Sequence, residues 1–260
     1  MLLQDKTALV FGASGAIGNA VVQRFAAEGA HVFASSRSNR PPTSIEIGAP
    51  ASRWMRVDAT REDEVAAYVG DVAMTSGRID VVFNAIGHDP VAAAYATPSP
   101  TLPRAQFLLP LDVIVWSQFL TARTAAPYML RRGAGSIVML SASLSGQFIP
   151  YMAGITAACG AVEALSRTLA AEFGPAGVRV NCVRAGGMPE TPTISTTSAQ
   201  MAQTAGDGGE HGARSTSATV LRRPPRLSET AATVAWVASD AASGMAGQVV
   251  NVCAGAIVSR

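Results

Sequence analysis

Short apolar runs alternate with longer amphipathic patterns along almost the whole chain, and this alternation restricts the fold more than any other feature. The run TALVF (7–11) leads into a helical pattern over 16–29, in which Val21, Val22 and Phe25 share one face. Apolar runs without polar alternation are typical of parallel strands that are buried on both faces. The sequence therefore predicts repeated βα units joined by right-handed crossovers.

The alternation continues toward the C-terminus. It predicts further strands at 31–35, 53–57, 79–83, 136–140, 178–183 and 248–252, and further helices at 62–74, 111–131, 156–173 and 229–238. About seven strands with helices between them indicate an α/β fold, a Rossmann-type doubly wound parallel sheet with helices on both faces. A chain of 260 residues suits one such domain, so we assign 1–260 to it.

Two segments interrupt the alternation. Residues 88–110 hold five prolines, and residues 186–226 are rich in Gly, Ser, Thr and Pro. Loops this long in a compact domain are usually either functional lids or disordered. Both segments follow strands, and ligands of open α/β sheets bind at the carboxyl ends of the strands. We therefore predict an irregular substrate lid at about 186–226.

The composition limits the partners and the compartment. Apolar residues make up 48% and charged residues 15% of the chain, against about 25% charged in an average domain. Such a chain hides much of its surface, either in a wide sheet covered on both faces or in a homo-oligomer, and we expect a homo-oligomer. The net charge of +2 argues against nucleic-acid binding. Three cysteines suit a reducing compartment, and no uninterrupted apolar run approaches the length of a membrane span. We expect a cytoplasmic protein with a small-molecule substrate, no membrane partner and no metal site.

The segment FGASGAIG (11–18) lies between the first strand and the first helix. Gly12 permits a tight turn there, Gly18 permits close packing of helix on strand, and the helix N-terminus offers free N–H groups to a diphosphate. The segment could be a simple tight turn without a ligand, but its position directly after the first strand favours a dinucleotide-binding loop. The predicted binding residues are Gly12, Ser14, Gly15, Ala16, Ile17 and Gly18.

The end of the second strand indicates which dinucleotide binds. An acidic residue at this place would hold the 2′-hydroxyl of NAD, whereas this chain has Ser35, Ser36 and Arg37. The planar guanidinium of arginine suits a phosphate. We therefore predict NADP(H), bound through Ser36 and Arg37, over NAD(H). The alternative is that Arg37 is an ordinary solvated loop arginine.

The order of the motifs resembles the classical short-chain dehydrogenase/reductase family. They are FGASGAIG, VDAT (57–60), NAIG (84–87), AVEAL (161–165), GPAGVRVNCVRAGG (174–187) and ASDAASGMAGQVVNV (238–252). The resemblance implies that the cofactor contacts Asp58 and Ala59 at its adenine and Asn84, Ala85 and Gly87 near its nicotinamide. It also implies a homodimer or homotetramer formed through the helices at 111–131 and 156–173.

The chain departs from the family at its catalytic positions. The family pattern has an asparagine where Ile114 stands, and the tyrosine and lysine of its YxxxK pattern where Ile155 and Cys159 stand. The commonest spacing places the catalytic serine at Ala142, and a shift of one residue places it at Ser143. The resemblance therefore implies an atypical active site that lacks the tyrosine and the lysine.

These replacements remove the usual proton donor. A free phenol has a pKa near 10, and in the family the lysine lowers the pKa of the tyrosine so that it can protonate the carbonyl oxygen. Ile155 cannot transfer a proton, and we expect Cys159 to be a small buried hydrophobe. Ser143 and Tyr151 are the candidate catalytic residues, and His88 is either a solvated loop histidine or a further candidate.

The sequence thus predicts an atypical NADP(H)-dependent short-chain dehydrogenase/reductase. We expect a carbonyl reductase for a sizeable aromatic or polyketide-like substrate, with the proton supplied by the substrate or by water. Two alternatives stay open, because a fold alone does not define a reaction. One is a non-redox enzyme on the same scaffold, such as a cyclase or dehydratase, and the other is a non-catalytic nucleotide-binding partner or sensor.

Overall fold

The computed structural model of the chain describes residues 1–38, 52–205 and 219–258. Within them, seven parallel strands form one sheet in the order β3-β2-β1-β4-β5-β6-β7. The prediction of a doubly wound parallel sheet is therefore confirmed. The strands are β1 (Thr7–Phe11), β2 (His31–Ser36), β3 (Ser52–Arg56), β4 (Val81–Asn84), β5 (Gly135–Ala142), β6 (Val178–Ala185) and β7 (Val249–Val252).

Helices connect the strands and cover both faces of the sheet. The first core holds Leu9, Val82 and Ile137 beneath the helices that follow β3, β4 and β5. The second core holds Val10 and Phe83, which neighbour Leu9 and Val82 along their strands and point the opposite way. The helices are α1 (Ala16–Ala27), α2 (Glu62–Ser76), α3 (Arg104–Pro110), α4 (Trp116–Arg132), α5 (Ala153–Phe173), α6 (Pro192–Ala205) and α7 (Leu227–Ala238).

The helical run before β5 begins earlier than its apolar pattern indicates. We predicted a helix from residue 111, but α3 begins at Arg104 and continues into α4 through a π-helical turn, Leu111–Val115. Pro110 precedes this turn, and a proline removes one backbone donor from a helix. The helix therefore changes its winding at the turn that carries Ile114.

The predicted irregular lid at 186–226 is partly helical. Helix α6 begins at Pro192, a position that suits proline because the first helical N–H has no partner within the helix. Its sequence is dominated by Ser, Thr and Gln, with Met201 buried, so its apolar periodicity is weak. Residues 206–218 of the predicted lid lie outside the described residues.

The helical run Arg104–Arg132 is long and apolar enough to cross a membrane by length and composition. Core helices of soluble proteins meet the same two criteria, and 33% of its most apolar window is buried inside the protein. The half-buried side chains of this run include Trp116 and Phe119, which pack against the first core.

Candidate functional site

The loop between β1 and α1 approaches its neighbours too closely for side chains at two glycines. Gly12 has a φ of 76°, and a methyl group there would lie 2.7 Å from the carbonyl carbon of Ala85. A methyl group at Gly18 would overlap with the carbonyl of Gly12. The loop therefore requires glycine at both positions, as predicted from the sequence.

The N-terminus of α1 is open to an anion. Gly15 is the N-cap, and within the described residues no side chain caps this helix end and no acidic residue lies in the first turn. The first N–H groups of a helix have no intrahelical partner and carry a partial positive charge. With Ser14 and Gly15 exposed beside them, the groups of Ala16 and Ile17 fit a diphosphate.

The end of β2 places two predicted residues in different surroundings. Ser36 is buried, and its Oγ accepts a hydrogen bond of 3.1 Å from Trp54 Nε1. Arg37, the next residue, is exposed. The guanidinium is therefore accessible to a ligand, whereas the Ser36 hydroxyl already has one partner.

Asp58 follows β3 and lies near Arg37. Burial raises the pKa of the Asp58 carboxyl, but the hydrogen bonds from Thr60 and the charges of Arg37 and Arg61 outweigh it, so the net pKa is lowered. The carboxylate is therefore ionised at neutral pH. Ala59, the other predicted adenine contact, is 3% exposed.

The NAIG turn is fixed by hydrogen bonds beneath it. Asn84 is buried; its Nδ2 donates to Thr121 Oγ1 at 3.1 Å, and its Oδ1 accepts from the N–H of Ile86 at 2.9 Å. Gln118 Nε2 donates to the carbonyls of Asn84 and Leu140 at 3.2 and 3.1 Å. Gln118 thus joins the ends of β4 and β5, a role that the sequence analysis missed. Ala85 and Gly87 lie on the same turn.

An apolar cluster lies beside this turn. Its buried members are Ala96, Met152, Ile155, Cys159 and Met201, and its half-buried members are Tyr95, Ile114, Ala142, Leu144 and Tyr151. The π-helical turn, β5 and α5 thus bring together Ile114, Ala142, Ile155 and Cys159, which the family pattern aligned with catalytic positions. All four side chains are apolar or weakly polar, and none is a strong acid or base.

Cys159 is a neutral thiol in this cluster. Burial raises its pKa to about 11, so the thiolate is scarcely populated at neutral pH. Its Sγ accepts a weak hydrogen bond of 3.4 Å from the N–H of Ala142. Cys159 therefore fills space between α5 and β5.

The two candidate catalytic residues lie at the margin of the cluster. Ser143 is 6% exposed, and its Oγ donates to Gln147 Oε1 at 3.3 Å. Tyr151 is half-buried and has a φ of 64°, in the left-handed region that non-glycine residues seldom adopt. Their catalytic role remains a prediction.

A second tyrosine, which the sequence analysis missed, reaches the cluster from the loop after β4. Tyr95 Oη lies 3.1 Å from Nε2 of His88, and Nδ1 of His88 lies 3.1 Å from the carbonyl oxygen of Asp89. Burial lowers the pKa of His88 and outweighs the opposite effect of Asp89. His88 is thus half-buried and paired. The sequence signal for Tyr95 was weak, because this residue lies in a proline-rich segment with little periodicity.

Below the cluster, α5 carries a buried ion pair. Glu163 is 5% exposed and accepts hydrogen bonds from Arg184 Nε at 2.8 Å, Ser141 Oγ at 2.8 Å and Ser145 Oγ at 2.6 Å. Burial raises the pKa of Glu163, but these partners outweigh it and the net pKa is lowered. This network fastens α5 to β5 and β6, and spacing alone gave no sign of it.

The sequence profile described as enoyl-(acyl carrier protein) reductase matches residues 12–256. The chain belongs to the classical short-chain dehydrogenase/reductase family. The match covers the phosphate loop, the NAIG turn and the apolar cluster. The members of this family are oxidoreductases that use nicotinamide cofactors.

Individual family members share part of the sequence. The chain is 36% identical over 197 residues to the granaticin polyketide synthase putative ketoacyl reductase 2 of Streptomyces violaceoruber, covering 71% of this chain and 73% of that protein. It is 31% identical over 188 residues to the L-fucose dehydrogenase of Oryctolagus cuniculus, covering 70% of this chain. The match spans 63% of that dehydrogenase's own length.

The whole fold recurs in solved structures. An NAD⁺-bound xylitol dehydrogenase superposes with a TM-score of 0.89, covering 98% of this chain and 100% of that one. At 24% sequence identity, this likeness shows the shared fold.

Proposed function

We propose that the chain is an NADP(H)-dependent carbonyl reductase for a sizeable aromatic or polyketide-like ketone. The observation that carries this proposal is the pairing of an open, glycine-built phosphate loop with an exposed arginine directly after β2. When bound, a reduced nicotinamide supplies a hydride to the carbonyl carbon. The protein binds and orients both reactants.

Different residues of this chain bind different parts of the cofactor. The backbone of Gly12, Gly15 and the first turn of α1 holds the diphosphate. Arg37 holds the 2′-phosphate through charge-assisted hydrogen bonds. Asp58 and Ala59 flank the adenine, and the turn from Asn84 to Gly87 flanks the nicotinamide.

The side chains at the carboxyl edge of the sheet support the proposed substrate class. The apolar cluster presents Tyr95, Tyr151 and Leu144 at its margin, and Phe148 after β5 is fully exposed. Aromatic and aliphatic surfaces of this kind suit a large organic ketone. The likeness to a ketoacyl reductase of a polyketide synthase supports the same class.

Calorimetry with NADPH and NADH tests the cofactor. We expect wild type to prefer NADPH, and Arg37→Ala to reduce that preference about tenfold or more, since a hydrogen bond to a charged group contributes roughly 1.5–3 kcal/mol. Arg131→Ala, at the far end of α4, is the matched control and should keep the preference. Equal affinity of wild type for the two cofactors would refute the NADP(H) assignment.

A panel of aromatic and polyketide ketones, with NADPH absorbance as the readout, tests the reaction. The apolar or weakly polar side chains at the four family positions, Ile114, Ala142, Ile155 and Cys159, favour an alternative without ketone reduction, either a non-redox enzyme or a non-catalytic nucleotide-binding protein. Tight NADPH binding without turnover of any ketone would support that alternative and exclude the reductase. Turnover of at least one large ketone would support the reductase.

We also propose that the protein is a cytoplasmic homodimer or homotetramer. An open groove of about 510 Å³ runs between α4 and α5 and is lined by Leu111, Asp112, Val115, Trp116, Phe119 and Leu165. A second copy of the same helices would cover the half-buried apolar side chains of this groove. Light scattering should give a multiple of 26.7 kDa for wild type and a smaller mass for Phe119→Glu. A monomeric wild type would refute the assembly.

A further inference from the structure

The pair of Tyr95 and His88 lies beside the apolar cluster and has no part in holding the fold's sheet together. We propose that Tyr95 is the catalytic residue that exchanges a proton with the substrate oxygen, and that His88 is the positioning residue behind it that resupplies the proton. This relay replaces the substrate hydroxyl or water expected from the sequence. It rests on the proposed carbonyl reduction.

The position of Tyr95 supports this role. Its ring packs against the cluster that contains Ile155 and Cys159, the two positions that the family pattern aligns with its tyrosine and lysine. The loop after β4 thus delivers a phenol to the region where α5 carries none. Thr204 Oγ1 of α6 donates to the carbonyl of Ala96 at 2.8 Å, so the lid helix fixes this loop from the other side.

The hydrogen bonds of His88 define its tautomer. Nδ1 faces the carbonyl oxygen of Asp89, which can only accept, so Nδ1 carries the proton. Nε2 therefore presents its lone pair to Tyr95, and the phenol donates across 3.1 Å. The two rings are edge to face at 5.3 Å between centroids, which restricts the orientation of the phenol.

The backbone on both sides of Tyr95 is strained. Ala94 has a φ of 49° and Ala96 a φ of 64°, both left-handed without being glycine. Non-glycine residues seldom adopt this conformation, and such strained residues accumulate at functional sites. The bond from the N–H of Tyr95 to the carbonyl of Pro90, at 3.0 Å, closes the turn that holds the phenol. The fold therefore maintains Tyr95 in place at a cost in stability.

The buried surroundings of Tyr95 disfavour its ionised form, so the phenol needs a partner that returns the proton it gives away. Burial raises the pKa of Tyr95, and the nearby Cys159 adds to the effect. A buried phenolate is therefore unfavourable. A relay avoids it, since Tyr95 receives one proton as it gives another and stays neutral throughout.

The proton and hydride transfers of the proposed relay balance for both reduction and oxidation. During reduction, the carbonyl carbon receives the hydride of a reduced nicotinamide and the carbonyl oxygen takes the proton of Tyr95 Oη. Tyr95 Oη in turn takes the Nε2 proton of protonated His88. The products are the alcohol, the oxidised nicotinamide and neutral His88. Alcohol oxidation runs through the same transfers in reverse and begins from neutral His88, the form that the hydrogen bonds define.

Activity measurements form the first part of the test. Tyr95→Phe should lower kcat for ketone reduction about 100-fold or more, the usual contribution of a general acid, while NADPH affinity stays unchanged. Tyr128→Phe on α4 is the matched control and should keep full activity. Retention of activity within about tenfold by Tyr95→Phe, in an active wild type, would overturn the relay and leave the reductase standing.

The pH profile separates a relay from a structural role. Within the described residues, the titratable groups that act on the pair are Asp89 beside His88 and Cys159 beside Tyr95. Because burial lowers the pKa of His88, kcat/KM for reduction should fall as the pH rises through a value below about 6.5, the usual histidine pKa. In His88→Gln this dependence should disappear. A lower rate with the wild-type pH profile would mean that His88 is merely structural.

A titration of the cofactor-free protein tests the pair without turnover. The chain has three histidines, so the NMR signals of His88 can be assigned by their loss in His88→Gln. In the relay the phenol oxygen accepts from Nε2–H of protonated His88, and this bond to a charged ring is stronger than the bond to the neutral ring, so Tyr95→Phe should lower the pKa of His88 further. An unchanged titration would refute the hydrogen bond and the relay with it. NADPH binding with an inert wild type would instead refute the proposed reductase, and the relay would fall with it.

Discussion

The phosphate loop and the apolar cluster lie at the same edge of the sheet and are built in opposite ways. The phosphate loop uses backbone: glycines at 12 and 18 and the uncapped start of α1. The apolar cluster uses side chains such as Ile155, Cys159 and Met201, and its polar groups come from a neighbouring loop. On the proposed function, cofactor binding depends mainly on backbone geometry, whereas the proposed proton transfer depends on side chains that another segment of the same fold can supply.

Helix α5 shows the same contrast over a short distance. Ile155 and Cys159 occupy one face of the helix in apolar surroundings, and Glu163, four residues further on, lies in a charged network with Arg184. Residues four apart share a helix face. The boundary between apolar and charged surroundings therefore falls within one helical turn, directly below the cluster.

The largest effect is expected from a methyl group in the phosphate loop. Gly18→Ala places its Cβ against the Gly12 carbonyl and 2.9 Å from the Cα of Ala13, and backbone atoms cannot move aside. We expect loss of NADPH binding in calorimetry, together with a lower Tm. The control is Gly70→Ala in α2, whose Cβ would lie 3.8 Å from Tyr128 Oη; it should be neutral or stabilise the helix by up to about 1 kcal/mol. Normal NADPH affinity in Gly18→Ala would contradict the backbone argument.

The ion pair below the cluster should give the next largest effect. Glu163→Gln leaves the charge of Arg184 without its partner, and breaking a buried pair costs about 3–5 kcal/mol. Urea unfolding at pH 7 measures this loss. The double variant Glu163→Gln with Arg184→Met should recover part of the stability.

Low pH should remove the contribution of Glu163 to the free energy of unfolding. Its folded pKa is lowered below the ordinary value of 4.5, so its stabilisation is present above that value and is lost as the pH falls through the folded pKa. The difference in the free energy of unfolding between wild type and Glu163→Gln should therefore be smaller at low pH. A difference that is equal at pH 7 and pH 3 would contradict this account.

Restoring the family's tyrosine and lysine should have a smaller effect, and that effect should be a loss of stability without a gain of activity. Ile155→Tyr with Cys159→Lys should not produce reduction of simple ketones, because Ile114 and Ala142 remain and Glu163 is already bonded to Arg184. The buried ammonium should lower stability by about 2 kcal/mol or more. Ala157→Lys, exposed on the same helix, is the control for the added charge. Efficient reduction of a simple ketone by the double variant would show that the rest of the family's proton route is intact.

The smallest effects are expected at the margin of the cluster. Tyr151→Phe and Ser143→Ala should each lower the reduction rate by less than about tenfold, below the usual contribution of a general acid. Ser143 already donates to Gln147, and Tyr151 lies on the turn before α5. If either change abolished turnover while NADPH still bound, that residue would be the acid and Tyr95 would not.

The sequence by itself determined the parallel sheet, the glycine-built phosphate loop and the apolar character of positions 114, 155 and 159. These features are local: strand and helix periodicity, and the turn chemistry of glycine, act between near neighbours in the chain. It also placed Arg37 directly after β2. Predicting these features required no knowledge of contacts between distant segments.

The tertiary structure alone decided the surroundings of those positions. Tyr95 meets α5 from a loop without periodicity, held by two left-handed alanines whose conformation no sequence rule indicates. Gln118 joins two strand ends, and Glu163 meets Arg184 across 21 residues of chain. Helix α6 forms from a polar segment because its Met201 is buried in the cluster. Each feature depends on contacts between distant segments, which the packing of helices on the sheet brings together.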